Sequence, residues 1–350
     1  MSARARSSGA HNEAVEAGLD RRHLTRGVVR LVVVAGLIVL ALCGLPGLDA
    51  LRARVTGAQT GWIVTCGALE VASVLSFVIA FHCAVAPRLG WRGAASLALT
   101  AQGVNVLVPA GGTGGLAAVT VVMTRAGIPR GFALSRMIAL FLITAVATNV
   151  TLVVVAGIGV ATGLLPGHAP LTLSLVPAAA AVLLVAVIAY LARRWPETNA
   201  PSTSRWRRLA QVTATHLREG LTWSAQLLRA RDPLLILGSL GFVLFDLGAL
   251  AAAFRAVGSS GLPLGTMVLS YTLGQVGSIV SLPGTTEGGL LGVFVLYGAP
   301  LTVTASAILI YRAAQSLIPL PLGLVGLVGV RRLLGEELSP AEGTPRLEAR

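Results

Sequence analysis

The sequence places ionisable residues inside long apolar segments, where charged side chains are rare. Glu70, Asp246 and Arg312 each lie near the middle of a segment long enough to cross a bilayer, which takes roughly 20 residues. A charge at that depth costs about 2.5–3.5 kcal/mol on insertion scales unless it is paired or hydrated. The arginine suits a phosphate group, and the acids suit proton relay or pairing with arginine. Structural ion pairs are the alternative interpretation.

Two more charges extend this set. Glu287 lies in a Pro/Gly cluster, and Arg136 lies about 8 Å inside its span, close enough to reach the interface. We predict a polar cavity lined by two such Pro/Gly clusters, Glu70, Asp246, Glu287 and Arg312. The predicted substrate-binding residues are Asn105, Pro109, Gly111, Gly112, Gly114, Gly115, Pro283, Gly284, Glu287, Gly288 and Arg312. The other predicted intramembrane charges are Glu70, Arg136 and Asp246.

Composition sets the class of protein. The 350 residues are 55% hydrophobic and 12% charged, with a mean hydropathy of +0.80, which no ordinary soluble domain shows. We predict an all-α polytopic membrane protein with about six full spans plus two re-entrant helical hairpins arranged as an inverted repeat. The predicted spans are Val28–Leu45, Gly61–Ala84, Gly131–Leu164, Leu171–Ala192, Pro233–Val257 and Leu301–Val330.

The two hairpins are predicted from interrupted apolar regions. The regions Ala94–Thr124 and Leu264–Ala299 are broken by "PAGGTGG" at Pro109–Gly115 and "PGTTEGG" at Pro283–Gly289. Glycine permits a tight turn and proline ends a helix, so the chain can turn back at mid-membrane. Broken backbone is tolerated there only if it is buried in protein or lines a wet cavity. A kinked, purely structural helix pair is the alternative.

The arginines predict the topology. The segment Arg193–Asp232 carries eight arginines against three acids, so it is expected to be cytoplasmic. This holds if each interrupted region enters and leaves the membrane on one side, the first from the cytoplasm and the second from outside. Both termini are then cytoplasmic. The same segment predicts an amphipathic helix around Trp206–Leu228.

The two halves of the chain also resemble each other. Matched residues recur at nearly constant spacing, as the pairs Glu70 and Asp246, Pro109 and Pro283, Gly114 and Gly288, Gly115 and Gly289, and Arg136 and Arg312. With the second half starting from the opposite side, this is an inverted-topology repeat, an architecture common in transporters. We predict a disordered cytoplasmic tail (1–26), a membrane domain (27–332) and a cytoplasmic tail (333–350). Repeat one covers 27–165 and repeat two covers 171–332, joined through a basic cytoplasmic loop, 193–232.

Other classes of function lack signatures. The sequence shows no zinc-type His/Cys cluster, P-loop or G-x-S-x-G, so we predict no enzyme, no cofactor and no metal. The net charge of +13 comes from arginines that flank apolar runs, which argues against a nucleic-acid partner. Cys43, Cys66 and Cys83 lie in apolar runs and are interpreted as free thiols.

Three motifs resemble a known family. The pattern N-x3-P-A-G-G-x-G-G at Asn105–Gly115, L-P-G-x2-E-G-G at Leu282–Gly289 and Y-R-x6-P at Tyr311–Pro319 are similar to the lysylphosphatidylglycerol synthase transmembrane region. This is the flippase-like membrane domain of the multiple peptide resistance factor. The resemblance extends from about Val28 to Arg332.

The resemblance implies a multi-pass protein of the bacterial inner membrane that moves lipids between leaflets. Its hairpin motifs correspond to Pro109–Gly115 and Pro283–Gly289, its hairpin acid to Glu287 and its following arginine to Arg312. One departure is the single glycine after Pro283, where related sequences often have two. The sequence also carries no cytosolic aminoacyl-transferase domain, so we expect no lysyltransferase chemistry from it.

We therefore expect translocation of an anionic or phosphate-bearing lipid, with membrane lipids as partners. Two alternatives remain open at this point. One is a secondary transporter or channel for a small solute, for which re-entrant hairpins are equally suitable. The other is a membrane partner of a lipid-modifying transferase, which would use the Arg193–Asp232 surface rather than the intramembrane charges.

Overall fold

The computed structural model describes residues 49–85, 90–107, 113–167, 170–194, 205–259, 261–275 and 285–338. The described part of the chain is helical and contains no strand. Its helices are α1 (Asp49–Thr56), α2 (Thr60–Ala84), α3 (Gly90–Leu107), α4 (Thr113–Arg125), α5 (Arg130–Phe141), α6 (Thr148–Ala161), α7 (Leu171–Arg194), α8 (Arg205–Arg229), α9 (Pro233–Ala256), α10 (Leu264–Gly274), α11 (Thr285–Leu296), α12 (Leu301–Leu317) and α13 (Pro319–Leu338). A π-helical turn, Leu142–Ala147, joins α5 to α6.

Five segments of the described chain are long and apolar enough to cross a membrane. They are Thr60–Ala84, Arg130–Ala161, Leu171–Leu191, Pro233–Ala256 and Leu301–Arg332. Each coincides with a predicted span to within a few residues, because an apolar run of this length is itself the signal. The predicted span Val28–Leu45 lies outside the described residues, as does the predicted tail 1–26.

Helices α2 and α9 form the central antiparallel pair. Ser73 donates a hydrogen bond to the carbonyl of Phe242 at 2.8 Å, and the amide of Gln59 donates to the carbonyl of Ala256 at 2.9 Å. Gly238 allows the close approach, since a Cβ there would lie 2.7 Å from the backbone nitrogen of Ala80. Small residues at such crossings let two membrane helices pack backbone to backbone. This packing places the midpoints of α2 and α9 side by side.

The two interrupted regions are pairs of short helices. In the first pair, α3 packs against α4, and α3 also packs along α13, where Gly103 meets Gly323 and a Cβ on Gly103 would lie 2.7 Å from its Cα. In the second pair, a Cβ on Gly274 of α10 would lie 2.9 Å from the Cα of Leu290 in α11. The short helices in both regions therefore pack as neighbours.

The start of α10 and the end of α11 lie near the connection between α6 and α7. The amide of Gly265 donates to the carbonyl of Pro166 at 3.0 Å, and the hydroxyl of Tyr297 donates to the carbonyl of Leu173 at 2.6 Å. Pro166 lies in the short segment between α6 and α7, and Leu173 lies in the first turn of α7. The start of α10 and the residue just after α11 thus contact the same part of the fold.

The predicted amphipathic segment forms α8, which confirms the helix. Gly220 of α8 lies against α5, because a Cβ there would come within 2.4 Å of the Ile138 side chain. Ser224 donates to the carbonyl of Ala139 at 3.3 Å, and Ser135 of α5 donates to the carboxylate of Glu219. The α8 helix is therefore docked on α5 by its second half.

The α2–α9 crossing predicts a packing defect on substitution. We expect Gly238→Ala to lower the thermal midpoint of the detergent-solubilised protein by several degrees, because the added methyl group meets backbone and overpacking costs about 1–3 kcal/mol. The matched control is Gly292→Ala in α11, where an added Cβ meets nothing within 4 Å. Equal midpoints for both variants would contradict the packing described above.

Candidate functional site

Asp246 is the centre of a buried polar network. It lies on α9 with only 7% of its surface exposed. Its Oδ2 accepts hydrogen bonds from the hydroxyls of Tyr271, on α10, and Tyr311, on α12, the latter at 2.8 Å. Its Oδ1 accepts from Nε2 of Gln315, also on α12, at 2.7 Å. Three donors thus satisfy one carboxylate inside an apolar segment, which offsets much of the cost of burying it.

Gln315 links this carboxylate to an arginine. Its Oε1 accepts a hydrogen bond from Nη1 of Arg312 at 2.6 Å, and its Nε2 donates to Oη of Tyr311 at 2.7 Å. Residues 311, 312 and 315 lie within one turn of α12, where positions three and four apart are neighbours. A single amide therefore couples the guanidinium of Arg312 to Asp246.

Arg312 also faces the first turn of α11. Its Nε lies 3.1 Å from Oε1 of Glu287, and these two side chains are 26% and 46% exposed. Its Nη2 is buried and makes no hydrogen bond within the described residues. A guanidinium with an uncommitted donor, next to a helix N-terminus, is suited to bind a phosphate or carboxylate group.

Glu70 lies across the α2–α9 pair from Asp246. The Ser73 hydrogen bond to the Phe242 carbonyl places it one turn away on the same crossing, beside Asp246, and Glu70 is only 5% exposed. Its Oε2 finds no partner among the residues that the structure describes. The two acids matched by the sequence repeat therefore meet at the centre of the fold.

The predicted intramembrane charges divide into two groups. Glu70, Asp246, Glu287 and Arg312 come together, as the cavity hypothesis expects of them. Arg136 does not join them, and its guanidinium instead lies 3.8 Å from the ring centroid of Trp223 on α8 while Nη1 donates to the carbonyl of Ala84 at 3.1 Å. Cation–π contact and a backbone acceptor stabilise this charge away from the cluster.

The first Pro/Gly region is described in part. Oδ1 of Asn105 accepts a hydrogen bond from the amide of Gly115 at 2.7 Å, which satisfies one of the free N–H groups in the first turn of α4. A Cβ on Gly115 would lie 2.3 Å from the carbonyl oxygen of Ala101, so glycine is required by close approach. Gly114 also lies in this turn, and Gly288 lies in the first turn of α11. The predicted site residues Pro109, Gly111, Gly112, Pro283 and Gly284 lie outside the described residues.

Sequence reasoning missed two members of the network. Tyr271 and Gln315 are polar residues in apolar helices, and neither was singled out. Gln315 lies three residues after Arg312, a spacing that places both on one helix face, so a signal was present. Tyr271 gave no such signal, because only the packing of α10 against α9 brings it to Asp246.

Comparison with known families decides the relationship. The sequence matches the lysylphosphatidylglycerol synthase TM region over residues 27–323. The chain belongs to this family. Together with the long apolar helices, membership makes it a multi-pass membrane protein. No curated protein and no solved structure matches it.

The Asp246 network predicts a stability effect in this family member. We expect Asp246→Ala to lower the thermal midpoint in detergent by several degrees, because it leaves three donors without their acceptor and each unmade buried hydrogen bond costs about 1–3 kcal/mol. Asp49→Ala is the control, since the Asp49 side chain is 79% exposed and should be neutral. An Asp246→Ala midpoint equal to that of Asp49→Ala would contradict the stabilising role of the Asp246 network.

Proposed function

We propose that this chain translocates an anionic, phosphate-bearing lipid between the two leaflets of a bacterial inner membrane. The observation that carries the proposal is Arg312, an arginine inside a long apolar span, which faces the first turn of α11 and whose buried Nη2 makes no hydrogen bond to any described residue. Intramembrane charges of this kind mark substrate pathways more often than they serve stability. Family membership supports the lipid as substrate rather than demonstrating it.

Glu287 would act as an internal stand-in for the substrate anion. Its Oε1 lies 3.1 Å from Nε of Arg312 in this structure. A lipid phosphate would displace the Glu287 carboxylate, pair with the guanidinium and reach the free N–H groups at the start of α11. Acyl chains would remain in the bilayer while the headgroup passes through the polar region. The headgroup would thus exchange its bound water for fixed polar partners instead of for hydrocarbon.

The proposed movement uses the two repeats. In it, α3–α4 and α10–α11 are re-entrant hairpins in an inverted repeat, and α2 with α9 forms the interface between the halves. The contacts of α10 and of Tyr297 with the α6–α7 connection support the second hairpin, since a re-entrant pair must begin and end on one side. The arginines at the ends of α4, α7 and α8 support a cytoplasmic location for the opposite side, so that the second hairpin enters from outside and the termini are cytoplasmic. Rocking of one repeat against the other would expose Arg312 to each leaflet in turn.

Leaflet exchange in proteoliposomes tests the proposal. We expect wild-type protein to accelerate exchange of a fluorescent anionic phospholipid, and Arg312→Ala to reduce it at least about tenfold, because a charge-assisted pair with phosphate contributes about 1.5–3 kcal/mol. The matched control is Arg125→Ala, which removes an exposed arginine at the end of α4.

The outcomes separate the rival functions. No acceleration by folded wild-type protein with several anionic lipids would overturn the lipid proposal. Uptake of a soluble solute in the same vesicles would then favour a secondary transporter or channel. Loss of partner binding only on changes in Arg193–Asp232 would favour a membrane partner of a transferase.

The stand-in role of Glu287 gives a separate prediction. We expect Glu287→Gln to bind an anionic lipid several-fold more tightly than wild type, because the competing carboxylate is gone, and to slow exchange, because release from Arg312 is slower. Fluorescence titration with labelled phosphatidylglycerol in detergent measures the affinity. Weaker binding by Glu287→Gln would show that Glu287 helps to hold the lipid instead of competing with it.

A further inference from the structure

The two central acids have unequal hydrogen-bonding environments. Asp246 accepts from three donors, two tyrosine hydroxyls and one amide. Glu70 lies beside it, buried to the same degree, with Oε2 unpartnered within the described residues. The donors stabilise negative charge on Asp246 and do nothing comparable for Glu70.

Two carboxylates cannot form a hydrogen bond with each other, because both are acceptors only. The side chains of Glu70 and Asp246 nevertheless lie next to each other, because the hydrogen bond from Ser73 to the Phe242 carbonyl places both acids one turn further along the crossing of α2 and α9. One proton between them resolves the conflict, as an O–H of Glu70 that donates to Asp246. The same proton removes one of two adjacent negative charges from an apolar region.

We propose that Glu70 and Asp246 form a proton-binding site linked to the anion site at Arg312, so that one proton enters with each anionic headgroup. This inference rests on the proposed lipid translocation and adds its energy source. The proton comes from water on one side, forms the O–H of Glu70, and returns to water on the other side when the headgroup leaves. No oxidation or reduction is involved.

The physical link is the charge balance of the cluster. Without the proton, the described residues of the cluster carry one guanidinium, Arg312, and three acids, Glu70, Asp246 and Glu287. A bound phosphate adds a further negative charge, which repels the others across a medium that screens poorly. The proton lowers that repulsion. Gln315 is hydrogen-bonded to both Arg312 and Asp246, so a change in the partner of Arg312 is transmitted to Asp246. By linkage, anion binding must then tighten proton binding by the same factor.

Among the described residues, no other group could hold this proton with the same geometry. The titratable and charged groups that face the pair are Cys66, Tyr271, Tyr311 and Arg312, with Glu287 behind the arginine. The π-helical turn and α6, which also pack on α9, contain no titratable residue. The carboxyl pair is therefore the place where a proton changes the charge of the site.

The first test observes the proton directly. Infrared spectra of the purified protein at neutral pH should show the carbonyl stretch of a protonated carboxyl group, and Glu70→Gln should lose it. Glu287→Gln is the control and should retain the band, because Glu287 is paired with Arg312 and lies outside the carboxyl pair. Absence of the band in folded wild-type protein would overturn the inference, whatever the protein transports.

The second test measures coupling. In proteoliposomes with a pH gradient and the electrical potential clamped, labelled phosphatidylglycerol should accumulate in the leaflet on the alkaline side, by about tenfold per pH unit for one proton per lipid. Arg125→Ala should accumulate the lipid as wild type does, and Glu70→Gln should not accumulate it. A sodium gradient at constant pH should have no effect.

The results distinguish failure of the inference from failure of the function. Rapid exchange without accumulation, accumulation driven by sodium, or unchanged accumulation by Glu70→Gln would each overturn proton coupling while lipid translocation stands. No exchange at all by folded wild-type protein would overturn both. Accumulation that follows the pH gradient and depends on Glu70 supports both.

Discussion

The structure depends on one constraint, the burial of the Asp246 carboxylate inside an apolar helix. A lone carboxylate there would cost several kcal/mol, so the surrounding helices must supply donors. They do so from two directions, with Tyr271 on α10 and Tyr311 and Gln315 on α12. These hydrogen bonds specify how α9, α10 and α12 sit together, because purely apolar contacts between membrane helices are poorly directional. Glycine contacts such as Gly238 against α2 then set how closely the central pair approaches.

Outside this centre the charges are held more loosely. The ion pair of Arg312 and Glu287 is partly exposed, and Nη2 of the arginine makes no hydrogen bond within the described part of the chain. This gradient, from a fully satisfied carboxylate to a partly exposed ion pair, would suit the proposed transport, in which a structural network is kept while a substrate partner leaves. Arg136 shows the contrast, because Trp223 and a backbone carbonyl hold it apart from the other charges.

Much of the helical architecture was predictable from single residues and runs. Five spans and the α8 helix follow from apolar length and amphipathic spacing, which are local properties. The convergence of Glu70, Asp246, Glu287 and Arg312 was expected from their depth and from the weak repeat. The contacts that hold Arg136 apart from them were not predicted, since they depend on where α8 docks. The re-entrant turns themselves stay predictions, with their central Pro/Gly residues outside the described part.

The sequence by itself determined which segments are apolar enough to be helices in a membrane, and which few charges must find partners there. It did so because hydrophobic length and the cost of a buried charge are properties of the chain alone. Only the tertiary structure determined which residues are those partners. Tyr271 reaches Asp246 from a different helix, α10, and Gln315 joins Arg312 to the same carboxylate. Such contacts depend on crossing angles and helix rotation, which arise from packing between segments distant in the chain.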